Sequence, residues 1–337
     1  MKYKHLFIWT LTICIGITGC TQTNRYSLTK NYIMPTDSTL TPDNYVTKML
    51  EHVRHYPVEP FYYLHVANIL CSYEILVNDF PVYKYYKEGQ MISPIDINWA
   101  INKSGPQTIT CKLYPSPDSV QGHVLTELPE SAAMEIRLYK RNLAIDTAFE
   151  TEEKVGLHQS ATKPDGSFIA SGQKYYEYKF TFTAQVPYEN KGWSESEDLR
   201  KINQDTLLVN AVEAYRQVWN IMNEKKKDDY FKLLYTKEVE TTQADYDKTV
   251  DMQETLDTYL MPFKEPTFKL QPLNDYKLMF YGEGKIVCLE QTSLDVRFRG
   301  ELALWGKYRT EAGGIRARFP KLYLHIPKGK TEFEVIR

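Results

Sequence analysis

Between Leu199 and Met222 the apolar residues Leu199, Ile202, Val209, Val212, Tyr215, Trp219 and Met222 follow a three-or-four spacing. That spacing places them on one face of an α-helix of about seven turns. A helix of this kind must lay its apolar stripe against another element, so the chain around it has to supply a core. Ser194 and Ser196 are the candidate caps, with Glu197 or Asp198 in the first turn.

Downstream, a second helix is expected over Asp228 to Glu238 and a third over Ala244 to Leu260, stopped by Met261-Pro262. The period then changes to that of strands. Phe268 to Leu270, Lys277 to Tyr281, Lys285 to Gln291, Leu294 to Arg299, Glu301 to Tyr308, Ile315 to Phe319, Leu322 to Ile326 and Glu332 to Ile336 form the expected meander, with Gly282-Glu283-Gly284 as a hairpin turn. Helices first and strands afterwards indicate an α+β domain with three helices followed by a curved antiparallel meander. In element order, residues 194–337 resemble the nuclear-transport-factor-two-like cone. The resemblance implies a pocket between the first helix and the concave sheet.

Upstream of Tyr188 the pattern is almost wholly that of strands. After a short helix opened by Thr41-Pro42-Asp43, strands are expected over Phe61 to Val77, Phe80 to Tyr86, Ile95 to Ile101, Thr108 to Tyr114, Ala133 to Tyr139 and Tyr175 to Val186. Turn chemistry at Asn78-Asp79, Lys103-Ser104-Gly105-Pro106, Pro115-Ser116-Pro117-Asp118 and Pro164-Asp165-Gly166 separates them. Residues 141–174 read as one long loop with a short strand or helix in it. Strands so spaced argue for an antiparallel β-sandwich over residues 41–188. The Ile97-Asn98-Trp99-Ala100-Ile101 and Lys103-Ser104-Gly105 region, followed by an alternating strand, resembles the amino-terminal immunoglobulin-like modules of envelope lipoproteins. A polar linker between Tyr188 and Glu195 would join the two domains with few contacts across it.

The first twenty residues stand apart from both. Lys2 and Lys4 precede the apolar run Leu6 to Ile17, too short to read as a membrane-spanning helix. This is the layout of a secretory signal peptide. Its end, Ile17-Thr18-Gly19-Cys20, resembles a bacterial lipobox. That resemblance implies removal of residues 1–19, a lipid such as palmitate on Cys20, and a flexible tether over 20–40. Thr21 stands where an aspartate would mark inner-membrane retention, so the resemblance implies an outer-membrane lipoprotein facing the periplasm. Loss of residues 1–19 leaves 39 basic against 43 acidic residues, a formal charge of −4. Nucleic acid is therefore not an expected partner.

Cys71, Cys111 and Cys288 allow one internal disulfide at most, and a Cys71–Cys111 pair stays open beside three buried thiols. His52 and His55 lie three apart with no further ligand at metal spacing, and the remaining histidines are scattered. No nucleophile elbow, phosphate loop or zinc helix is present, and no cofactor or metal is expected. Tyrosine is abundant, at 26 residues. If the cone holds a small ligand, Tyr215, Trp219, Tyr259, Trp305 and Tyr308 could line its pocket, although the same aromatics could equally fill a core. Strand alternation would set Arg297, Arg299, Arg316 and Arg318 on one face as a cationic comb for an acidic partner, or as a solvated face balanced by glutamates. Two functions follow: an envelope binding module, such as an immunity-type or assembly protein with an envelope partner, or a small-molecule-binding, hydrolase or isomerase site in the cone pocket.

Overall fold

The computed structural model describes residues 30–90, 93–118, 123–146 and 149–337. The signal segment, Cys20 and the first part of the expected tether lie outside the described residues. Among the described residues, mostly antiparallel sheets and five α-helices make an α+β protein. Among the described residues no helix is long and apolar enough to cross a membrane.

The strand-rich half holds β1 (Pro60–Ile69), β2 (Cys71–Val77), β3 (Phe80–Tyr85), β4 (Ile95–Asp96), β5 (Gly105–Pro115), the short pair β6 (Pro117–Asp118) and β7 (His123–Val124), β8 (Ala133–Asn142), β9 (Glu153–Gln159) and β10 (Tyr176–Ala184). Two four-stranded sheets face each other, ordered β4-β1-β8-β9 and β10-β5-β2-β3. The strand expected over Phe61 to Val77 is two strands, parted where Leu70 takes a left-handed φ of 47°. The one expected over Ile95 to Ile101 ends after Asp96 and passes into a 3₁₀ turn at Asn98–Ala100. Buried Asn98 explains this break: its side chain accepts from Tyr62 N at 2.7 Å and donates to the Pro60 and Ala244 carbonyls at 3.0 and 2.8 Å.

The helix-bearing half follows. It contains α2 (Gln204–Asn223), α3 (Lys227–Lys232), α4 (Tyr235–Asp245), α5 (Thr249–Lys264), β11 (Lys269–Leu270), β12 (Tyr276–Tyr281), β13 (Ile286–Gln291), β14 (Gly306–Arg309), β15 (Ile315–Arg318), β16 (Leu324–His325) and β17 (Glu334–Val335). The long helix starts later than expected. Asn203, not Ser194 or Ser196, caps α2 by accepting from Thr206 N at 3.0 Å. The second expected helix divides into α3 and α4, and Pro262 lies inside α5 instead of beyond its end. The strands form two sheets, β12-β13-β16-β17 and β11-β14-β15, and Glu290 of β13 makes an isolated bridge to Leu302 in the segment before β14.

The amino-terminal segment departs from the expected organisation. Ile33 bridges Phe333 in parallel, Tyr32 N donates to Gln217 Oε1 at 3.0 Å, and Leu40 is fully buried. Residues 30–40 are therefore packed where a free tether was expected. The helix that follows, α1 (Tyr45–Leu50), sends Tyr45 and Met49 into the core around α2, not into the sandwich.

Both faces of two central strands are buried, which fixes how the halves sit. On β2, Cys71, Tyr73, Ile75 and Val77 face the sandwich core, while Leu76 joins another cluster with Phe80, Trp193, Tyr281, Ile286, Cys288 and Tyr323. On β13, Val287 and Leu289 face α2, and Ile286 and Cys288 face that same cluster. The linker belongs to it too. Trp193 stacks on Phe80 with centroids 5.5 Å apart, Asn190 N donates to the Asn102 carbonyl at 2.7 Å, and Gly192 N donates to Glu240 Oε1 at 3.0 Å. A Cβ on Gly192 would fall 2.3 Å from the Asn102 side chain. Contrary to the expectation of few contacts, the segment from Tyr188 to Glu195 is wedged between the halves.

Candidate functional site

A cleft of about 530 Å³ opens where α4, α5 and the segment after β15 meet. Its position follows from the α4–α5 turn. Tyr246 ends α4 in the left-handed region, at φ 54° and ψ 41°, a conformation that costs a non-glycine residue about 1 kcal/mol. Its ring, held between Tyr56 and Tyr188, anchors that turn. Asp247 N closes it on the Thr242 carbonyl at 2.9 Å, and Asp251 Oδ2 caps α5 by accepting from Lys248 N at 2.8 Å. The turn thereby brings Asp245, Asp247, Asp251 and Glu254 to one wall.

Below that wall is a closed hydrogen-bonded set. Glu238, 1% exposed, accepts from Tyr45 Oη at 2.5 Å and from Tyr259 Oη at 2.6 Å, and pairs with Lys237 Nζ. Burial first, and then the Glu238 charge, push the phenols of Tyr45 and Tyr259 far above their ordinary range, so both remain donors.

The opposite wall is Arg318, Phe319, Pro320 and Lys321. Arg318 Nη2 donates to the Thr258 carbonyl at 3.1 Å, and Lys321 Nζ lies 5.3 Å from the centroid of the Trp99 ring. Among the described residues, no ion pair within 4.0 Å joins Asp245, Asp247, Asp251 or Glu254 to Arg318 or Lys321. Carboxylates and cations thus face one another across open space, segregated by element. Asp245 Oδ1 is buried without a hydrogen-bond partner, and burial, then Asp247 and Asp96, raise its carboxyl well above the usual range. Burial, then Asp251 and Glu238, raise Asp247 to about 7. Titratable groups perturbed by desolvation and by like charge in a cleft are the ordinary mark of a working site. No group of three or more His, Cys, Asp or Glu among the described residues is arranged to hold a metal ion.

Of the five aromatics expected to line one pocket, Tyr259 lines this cleft. Tyr215 is fully buried, donating to the Leu322 carbonyl at 2.5 Å and accepting from Leu289 N at 3.0 Å. Trp219 is buried and donates to the Gln271 carbonyl at 2.8 Å. Trp305 stacks on Phe319 and borders a groove beside Gln271, while Tyr308 borders another beside Lys269. The first helix and the sheet are packed together at Tyr215, so the aromatics there fill the core and do not converge on one pocket.

The arginine comb is also dispersed. Residues 294–300 form a turn, not a strand, so alternation does not govern Arg297 and Arg299. Arg297 pairs with Asp295 on that turn at 2.5 Å. Arg299 lies over Tyr86 and Tyr114 of the sandwich half, at 4.1 and 5.3 Å. Arg316 and Arg318 do share β15, the first exposed and the second on the cleft.

Cys71, Cys111 and Cys288 are free and buried. His55 contacts Glu59 at 2.8 Å and His52 contacts Tyr235 at 2.7 Å. Ser196 Oγ meets His325 Nδ1 at 2.7 Å, but both are buried and neither lines the cleft, so the pair reads as structural. The acidic wall itself was missed in the sequence, where 244–260 registered only as a helix. Its signal was the run of acids from Asp245 to Glu254 straddling a turn. Comparison of the chain with protein-family models, with curated proteins and with solved structures finds no match.

Proposed function

We propose that this chain is an outer-membrane-anchored lipoprotein that binds a ligand non-covalently in the cleft between α4, α5 and the segment after β15. Support for the anchor is the basic start, apolar run and Gly19-Cys20 ending of the first twenty residues. The observation that carries binding is a cleft of about 530 Å³, within the volume range of small-molecule sites, lined by four carboxyl groups from the α4–α5 turn and the start of α5 and by Arg318 and Lys321, with no ion pair between the two sets. Burial disfavours the ionised forms of Asp245 and Asp247, and a cationic ligand group beside them would offset that cost. The sandwich is read as an immunoglobulin-like support and residues 194–337 as a variant of the nuclear-transport-factor-two-like cone, both on element order alone. An envelope protein partner, of an immunity or assembly kind, stays within the same reading.

Fractionation tests the anchor: Cys20→Ala should leave unprocessed precursor and move the protein out of the membrane fraction. Normal processing of that variant would overturn it. A thermal-shift screen of amines, carboxylates, peptides and sugars tests the cleft. Stabilisation should be lost in Asp247→Asn and Arg318→Gln, and ligands indifferent to both substitutions would place binding elsewhere.

One observation favours a second reading. A carboxyl held near 7 in the wall of a cleft is suited to general acid–base work, so Asp247 could move a proton in a hydrolase or isomerase step. Turnover of a bound compound by wild type, abolished in Asp247→Asn with binding retained, would select this reading.

A further inference from the structure

The charges of the cleft specify what it can hold. Its acidic wall comes entirely from the α4–α5 turn and the start of α5, and Arg318 and Lys321 come from the segment ending β15. A polyamine would be repelled by one wall and a nucleotide or polyanion by the other. A bare metal ion needs converging carboxylates, which the described residues do not supply. An organic ammonium is a better match for the acidic wall. It can reach several separated carboxylates through three donors and can lie against tyrosine faces. On the opposite wall, a carboxylate suits the guanidinium of Arg318. Tyr259 and Pro262 of α5 and Phe319 of the opposite wall add apolar lining that would take a short backbone or side chain.

We infer that the cleft takes a short peptide with both ends free, its ammonium against Asp245 and Asp247 and its carboxylate against Arg318 and Lys321. This rests on the reading of the cleft as a ligand site. It is favoured over a single amino acid because the two charge sets stand on different elements and the cleft, about 530 Å³, carries apolar lining as well.

The test is calorimetric titration of the processed protein in detergent with Ala-Ala-Ala, its N-acetyl form, its C-terminal amide and the doubly capped peptide. The free tripeptide should bind, and each single cap should weaken it by about tenfold or more, the worth of one charged contact. Asp247→Asn should cost the free peptide at least as much but change nothing further for the N-acetyl form. Lys321→Gln together with Arg318→Gln should behave in the same way towards the amide. Circular dichroism and melting of each variant separate lost binding from lost folding. Equal binding of the doubly capped peptide, or no binding of the free one at millimolar concentration, overturns the inference. In either event the screen described above decides whether the cleft reading stands: any other ligand lost in Asp247→Asn keeps it, and none removes it.

Discussion

Arg337 donates through Nη1 to Glu240 Oε2 at 2.6 Å, with its side chain fully enclosed. Its Nη2 donates to Asn102 Oδ1 at 2.6 Å, and the other oxygen of Glu240 accepts from Gly192. One buried ion pair therefore ties the last residue of the sequence, helix α4, the linker and the sandwich half together.

Removing one partner leaves a buried charge, so Arg337→Met should destabilise the protein by about 3–5 kcal/mol. Arg337→Met with Glu240→Met should recover a measurable part of that loss. Urea unfolding of the single and double variants checks both; an additive double variant would show the pair to be uncoupled.

The halves should unfold together. The amides of Asn190, Gly192 and Ser194 are hydrogen-bonded and Trp193 is stacked on Phe80, so in limited proteolysis residues 188–195 should resist cleavage under native conditions. Calorimetry should give one transition. Two separated transitions would mean that the interface around Phe80 and Tyr323 contributes little.

Asp247 makes a pH signature. Its carboxyl interacts with Asp251, Glu238, Asp245 and Tyr45, and it shares the cleft lining with Lys237, Glu254, Arg318 and Lys321. With a folded value near 7 against an ordinary 3.8, the folded chain holds a proton that the unfolded chain has released between about pH 4 and 7. Its contribution to stability therefore falls as pH rises through that window. Asp247→Asn should gain on wild type between pH 5 and 8 by on the order of 1 kcal/mol, screening included. A difference that stays constant with pH would refute the shift.

Tyr215 should matter for stability and not for ligand binding. Tyr215→Phe leaves the Leu289 amide and the Leu322 carbonyl without their partner, at a cost of about 1–3 kcal/mol. Peptide affinity at the cleft should stay unchanged, and a coupled loss would return Tyr215 to a site role.

The cysteines should be silent in the native state. Burial raises Cys71 and Cys111 to about 12, and pushes Cys288 up as well. A thiol reagent should label all three only after unfolding, at a rate set by unfolding. Rapid native labelling would contradict their enclosure.

Elements governed by local period were legible in the sequence: α2, the Gly282-Glu283-Gly284 turn, and the alternating strands such as β10. Position 95–101 was misread because an asparagine's side-chain bonds to distant backbone outweighed the apolar pattern around it. The all-buried β2 and β13 read simply as apolar runs, and nothing local says that both faces of each are covered. The cleft was hidden for a similar reason. Its acids and its cations lie far apart in sequence, and only the docking of α5 beside the end of β15 makes them face one another.

The parallel bridge between Ile33 and Phe333 sets a leash length. With Cys20 held in a bilayer as proposed, the dozen or so residues before Ile33 can span no more than about 45 Å fully stretched. Because α1 and the segment before it are fastened to the helix-bearing half, that half is the one such a tether would hold. In that arrangement the length of the tether, and not the fold, sets how far the helix-bearing half can stand from the lipid surface.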